Sequence, residues 1–284
     1  MKTYLDCFPC LMRQALRAAR IATNDEKKIK TILDEVGMML KNIPLGCPPP
    51  ESARLIYHKV KEITGNLDPY KKIKIESTQK ALSLYPSLEN RLEESKDRLL
   101  TAIQIAIAGN VIDFGADWVL DIESETTKVL EMNFAVCDYN GFKSNLDKAP
   151  NVLYIADNSG ECVFDRILIN EIKKPVTYVV RGMPIINDAT YEDAVQAGID
   201  RVATILSSGT DAPGTVLETC NLEFKNVYKN SEFIISKGQG NYEALSKEKR
   251  PIFFLLKTKC NVVSDDIGVR RGDIVLKGPD DSTP

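Results

Sequence analysis

Histidine is nearly absent from this chain: among 284 residues only His58 is one, and there is a single tryptophan. A Ser-His-Asp triad, a histidine-rich zinc centre and a histidine general base are therefore excluded unless His58 carries them. There is no excess of basic charge either. The 37 Lys and Arg stand against 40 Asp and Glu, for a net charge of −3, which argues against nucleic acid or an anionic membrane as partner. Long hydrophobic runs are missing. The strongest, Ile252–Leu256, is far too short to span a bilayer. The first residues carry Asp6 and no apolar core of a signal peptide. No Gly-x-x-x-x-Gly-Lys-Ser/Thr loop occurs, and Gly238-Gln239-Gly240 lacks the third glycine of the dinucleotide fingerprint. The seven cysteines are odd in number and mostly scattered, a pattern of reduced thiols rather than a disulfide framework. These absences describe a soluble, cytoplasmic protein that binds neither membrane nor nucleic acid.

What is present begins with a 43% hydrophobic content, enough for a sizeable core. The first hundred residues read as helical. Cys10–Ile21 has helical spacing, Asn24-Asp25-Glu26 reads as a cap for a helix to about Leu40, and Pro48-Pro49-Pro50 is a break. Glu51–Ile63 and Lys80 to about Ala106 follow as amphipathic helices. From Asn151 the pattern changes to short β-rich runs: Val152–Ala156, Val176–Val180, Val202–Leu206, Glu232–Ile235 and Ile252–Leu256, with helical stretches between most of them. Alternating strand and helix implies a mostly parallel sheet covered on both faces. The expected fold class is α/β: a Rossmann-like three-layer α/β/α domain over residues 98–284, with a helical subdomain over 1–97. The tail from Gly278 to Pro284 is expected to fray.

Four polar turns follow four of these strands: Asp157-Asn158-Ser159-Gly160-Glu161, Arg181-Gly182 through Asn187-Asp188, Ser207-Ser208-Gly209-Thr210, and Ser236-Lys237-Gly238-Gln239-Gly240-Asn241. A parallel sheet brings all four to one edge, where ligands of open α/β sheets bind. Asp157, Asn158 and Asp188 offer hard oxygens for one divalent cation. Ser208, Gly209 and Thr210 offer hydroxyls and a permissive backbone for phosphate, Lys237 a point charge for the phosphoryl group rather than for a structural carboxylate, and Glu161 a carboxylate for proton transfer. Asn110, embedded in the apolar run Ala106–Gly115 with Asp113, reaches this site or makes a contact between subdomains. Arg181 lies at the ligand edge or in a surface ion pair. Plainer roles exist for the others: Asp157-Asn158 as an Asx turn and cap, Asn187-Asp188 as the cap of a helix at Tyr191–Ala197, Ser207-Ser208-Gly209 as a loop. Cys7-Phe-Pro-Cys10 reads first as two packed thiols at a helix start, and second as half of a zinc site completed by Cys47 and His58.

Together, Cys7-Phe-Pro-Cys10 with Arg13-Gln14, Gly109-Asn110 with Asp113, Asp157-Asn-Ser-Gly-Glu161, Arg181-Gly182 with Asn187-Asp188, Ser208-Gly209 with Pro213-Gly214, and Ser236-Lys-Gly-Gln-Gly-Asn241 resemble domain-of-unknown-function family 89, the metal-dependent damage-control phosphatases. The likeness runs over nearly the whole chain, and its Cys-x-x-Cys start resembles the prokaryotic branch. Ser159 stands where alanine is common. The resemblance implies a divalent metal (Mn, Ni, Co or Mg) on Asp157, Asn158 and Asp188, a phosphate site including Lys237, and hydrolysis of small phosphometabolites such as sugar phosphates and nucleotides. Attack on phosphorus would come from a water on the metal or from Asp157. Two rivals are a methyltransferase using S-adenosylmethionine, which the missing glycine-rich first turn disfavours, and a non-enzymatic metal- or nucleotide-binding protein.

Overall fold

The computed structural model describes residues 1–111 and 122–279. Asp113 and the last residues of the tail lie outside them, so the expectations for those positions have no structural counterpart. The chain opens with helices α1 (Cys7–Ala22), α2 (Glu26–Leu40), α3 (Pro49–Thr64), α4 (Lys71–Glu93) and α5 (Arg98–Ala108), then a 3₁₀ turn at Gly109–Val111 and α6 (Ile122–Glu131). Strand and helix then alternate: β1 (Phe134–Cys137), α7 (Tyr139–Lys148), β2 (Val152–Ile155), α8 (Glu161–Ile172), β3 (Val176–Val180), α9 (Tyr191–Gln196) and β4 (Thr204–Ser207). The last part is α10 (Leu222–Asn230), β5 (Ile234–Lys237), α11 (Gln239–Leu245), β6 (Ile252–Lys257), α12 (Asn261–Ile267) and β7 (Ile274–Lys277).

Local chemistry explains several of these boundaries. The Asp25 side chain accepts from the backbone N–H groups of Lys27 and Lys28 and starts α2. Pro49 and Pro50 occupy the first turn of α3, where the missing N–H costs nothing. Asp97 accepts from Leu100 N–H at 3.1 Å and begins α5. That cap divides the single helix expected from Lys80 to Ala106 into α4 and α5.

The seven strands run in the order β1-β7-β6-β5-β2-β3-β4. All neighbours are parallel except β6 and β7. Strand β2 is all buried, consistent with helices on both faces. Its alternate residues feed different cores: Val152 and Tyr154 pack with α4–α9, and Leu153 and Ile155 with α10–α12. This is the expected three-layer α/β/α architecture with a mostly parallel sheet. A third cluster joins α1, α2, α3 and the start of α4, through Leu11, Ile32, Ile56 and Ile73, to Ile185. Further along α4, Ala81, Leu88 and Leu92 belong to the main core, so this helix ties the helical part to the sheet. From β2 the chain builds outward through β3 to β4, then returns to place β5 on the other side of β2. The carboxyl ends of β2 and β5 therefore flank a topological switch point, where a ligand crevice forms.

Candidate active site

Asp157 and Asn158 leave the end of β2, and Asp188 lies in the loop after β3. Main-chain hydrogen bonds stitch the two loops together: Ala189 N–H to Asp157 O at 2.8 Å, Ser159 N–H to Asn187 O at 2.9 Å, and an isolated bridge between Asn158 and Asp188. The plainer roles for these residues do not hold. The residue preceding α8 is Gly160, with no side-chain cap, and α9 is started by Thr190 in a capping box with Asp193. Arg181 is not a surface residue. It is 2% exposed and donates to Asp188 at 2.7 Å, to Thr215 Oγ1 at 3.1 Å and to Asn241 Oδ1 at 3.1 Å. Asn241 in turn donates to the main-chain oxygens of Ala156 and Lys237, joining the ends of β2 and β5.

Asn110, carried by the 3₁₀ turn after α5, is buried and enters the same cluster. Its amide donates to Asp157 Oδ2 at 3.1 Å and to Glu161 Oε1, and the Asn158 amide makes the same two bonds at 3.1 and 2.6 Å. Asp157, Glu161 and Asp188 thus lie together in a low-dielectric pocket. Burial, followed by the charges of Glu161 and Asp188, holds the Asp157 carboxyl well above its usual range, while Lys259 and Arg181 pull the other way.

The structure corrects three expectations about the phosphate side. Lys237 does not avoid structural carboxylates: its fully buried ammonium donates to Glu161 Oε2 at 3.0 Å and Asp165 Oδ1 at 2.6 Å. Burial alone would lower its pKa, but Asp165 and then Glu161 carry it upward, so it remains a cation. The Ser208 hydroxyl donates to Val180 O at 2.8 Å, and that of Thr210 pairs with Thr219 Oγ1 at 2.5 Å. Both hydroxyls therefore hold the shape of the 207–214 loop instead of pointing outward. The exposed part is Gly209, in the left-handed region at φ +77°. A Cβ on Gly182 would clash with the Gly209 backbone, and a Cβ on Gly209 would press on Asn221. Two further groups complete the site: Asn241, which the sequence reading placed in the fourth polar turn without a role, and Asp165, which it missed, one turn beyond Glu161 on an otherwise largely apolar helix. An unaccompanied acid inside a buried helical pattern is the signal that marks Asp165.

The donor set fits a divalent cation. Asp157, Glu161, Asp165 and Asp188 are buried alongside only two buried cations of this cluster, Arg181 and Lys237. Ionised, the cluster has two negative charges unbalanced, and buried charge is tolerated only when paired. The buried Asn110 Oδ1 also has no hydrogen-bond partner among the described residues. Among the described residues no three His, Cys, Asp or Glu side chains already form a metal-ligand group. The Cys7 and Cys10 zinc alternative is not supported. Cys47 bonds with Thr3, Pro44 O and Ser52, and the imidazole of His58 bonds Asp211 at 2.7 Å.

Comparison with known proteins identifies the family. The model of the damage-control phosphatase ARMT1-like domain matches residues 3–275. A damage-control phosphatase of Pyrococcus horikoshii is 33% identical over 282 residues, 97% of each chain. Another from Archaeoglobus fulgidus is 34% identical over 283 residues, 95% of this chain and 97% of that one. A crystal structure of a P. horikoshii DUF89 family protein superimposes with a TM-score of 0.89 at 32% identity, covering 98% of this chain and 99% of that one. The chain belongs to the damage-control phosphatase ARMT1-like family, and is a phosphatase, a hydrolase of phosphorylated metabolites. The methyltransferase and non-enzymatic readings are set aside.

Proposed function

We propose that this phosphatase hydrolyses phosphomonoesters of small, reactive or damaged metabolites, sugar phosphates and nucleotides among them, with a divalent cation held by Asp157, Asn158 and Asp188. The observation that carries the reading is the unbalanced carboxylate charge at the β2–β5 switch point. Bound there, such a cation supplies Lewis-acid neutralisation of the phosphoryl group and acidifies water. Arg181 orients Asp188. Glu161 is fixed by two amides on Oε1 and an ammonium on Oε2, ready to accept or return a proton. The locked 207–214 loop presents the Gly209 backbone to the phosphate. The helical part forms one wall over these loops. Arg54 and His58 on α3 bond Asp211, and Lys61 bonds Pro184 O. All seven cysteines are free thiols, which suits a reducing, cytoplasmic setting. No helix among the described residues is long and apolar enough to cross a membrane.

The test is phosphate release across a panel of phosphometabolites with Mg²⁺, Mn²⁺, Co²⁺ or Ni²⁺. Turnover should require one of these ions, and Asp157→Ala should abolish it while leaving the fold in place, because it opens no core cavity. Metal-independent release, or an Asp157→Ala variant with full turnover, would end the reading.

A further inference from the structure

Beneath Lys237 the site continues into the core. Glu161 and Asp165 are four residues apart on α8, so their carboxylates share one face. Both are fully buried, where two like charges side by side are costly. Lys237 reaches across from β5 and lies between them, 3.0 Å from Glu161 Oε2 and 2.6 Å from Asp165 Oδ1. Asp165 is held in turn from β2 and β3. Tyr154 Oη donates to its Oδ1 and Tyr178 Oη to its Oδ2, each at 2.7 Å. The two tyrosines are register partners on neighbouring strands, and their rings stack with centroids 5.2 Å apart. Burial, then the charge of Asp165, raises both phenol pKa values well above normal, so both remain donors.

A lysine–carboxylate pair that only filled the core would need no such clamp. Apolar side chains of similar volume serve a core as well or better. The clamp instead removes the freedom of a flexible four-carbon stem. The chain of contacts ends where the chemistry lies, since the other Glu161 oxygen meets the amides of Asn110 and Asn158.

We infer that Asp165 is a positioning residue: clamped by Tyr154 and Tyr178, it fixes the Lys237 ammonium and through it the orientation of Glu161. The inference rests on the reading of Glu161 and Lys237 as working groups of the phosphatase site.

The experiment measures kcat and KM for p-nitrophenyl phosphate with Mn²⁺, and the thermal midpoint, for Asp165→Asn, Lys237→Met, the double variant, and Tyr154→Phe with Tyr178→Phe. Lys237→Met should lower kcat by roughly 10²–10³, the scale of losing one preorganised electrostatic group. Asp165→Asn should lower kcat by roughly 10–100-fold, as for other supporting partners of site residues, with KM little changed. In the Lys237→Met background Asp165→Asn should cost no further kcat, because its effect passes through the ammonium. The tyrosine pair, which keeps the ring stack, should lower kcat in the same direction by a smaller factor. A lowered midpoint with kcat unchanged would make Asp165 structural and overturn the inference. Losses that multiply in the double variant would also overturn it. If Asp165→Asn does not fold, the tyrosine pair decides, and wild-type kcat there rejects the clamp. Near-normal turnover of Lys237→Met removes both this inference and the reading it rests on. A crippled Lys237→Met beside a normal Asp165→Asn removes only the inference.

Discussion

Gly238 has the least freedom of any residue in the site. Its φ of +77° lies in the left-handed region, and a Cβ there would overlap the Asp157 carboxylate. It also separates Lys237 from the start of α11, so the backbone must turn sharply between two buried groups. Only glycine meets both demands without strain. Gly238→Ala should therefore displace Asp157 and remove most turnover. The penalty for a side chain at φ +77°, ψ 167°, about 1–3 kcal/mol, would lower the melting midpoint by several degrees in a chain of this size. Steady-state kinetics beside calorimetry checks this. Normal turnover in Gly238→Ala would mean that the Asp157 carboxylate does not need the position it has here.

Among the elements, α1 and α3 carry sequence features that invite a metal role but have other partners. Cys7 is the first residue of α1, where its sulfur accepts from Tyr4 N–H at 3.4 Å, while Cys10 accepts from the Gln14 side chain at 3.3 Å. Burial raises the Cys7 thiol pKa, which opposes both metal binding and redox chemistry. Cys7→Ser should leave turnover intact and shift the melting midpoint only slightly. Loss of zinc or iron from the purified protein together with unfolding would instead establish a metal clip. Helix α3 works through one carboxylate. Arg54 and His58, one turn apart, both meet Asp211, so the only histidine anchors the helical part to the 207–214 loop.

At the scale of the whole molecule, stability depends on groups that folding moves away from their ordinary pKa. Partly buried Glu243 on α11 is one; burial pushes its pKa from 4.5 to about 7, against the hydrogen bond from Gln239. The folded state then binds a proton more tightly than the unfolded chain. Its contribution to stability is fully present below pH 4.5 and is lost as pH rises from there to about 7. Thermal denaturation followed at pH 5 and at pH 8 should show a smaller drop for Glu243→Gln than for the wild type. An unchanged drop would place the pH dependence elsewhere.

The sequence by itself determined the order of the strands β2 to β6, the cap of α2 and the start of α3, and the edge at which four polar turns meet. Periodicity, capping and turn chemistry act over a few residues, so they are written locally. The polar residues that assemble at the switch point were legible for the same reason, since strand ends in a parallel sheet share one edge. Strands β1 and β7 escaped, although they are no shorter than β2, β4 and β5; β7 also leaves the parallel order by pairing antiparallel with β6. Only the tertiary structure decided which polar group pairs with which. Lys237 lies 76 residues from Glu161 and 72 from Asp165. Nothing local tells an ammonium aimed at solvent from one clamped in the core. The inward turn of the Ser208 and Thr210 hydroxyls, and the seating of Asp165 between two tyrosines, depend equally on which buried donors and acceptors come within about 3 Å of one another once the layers close.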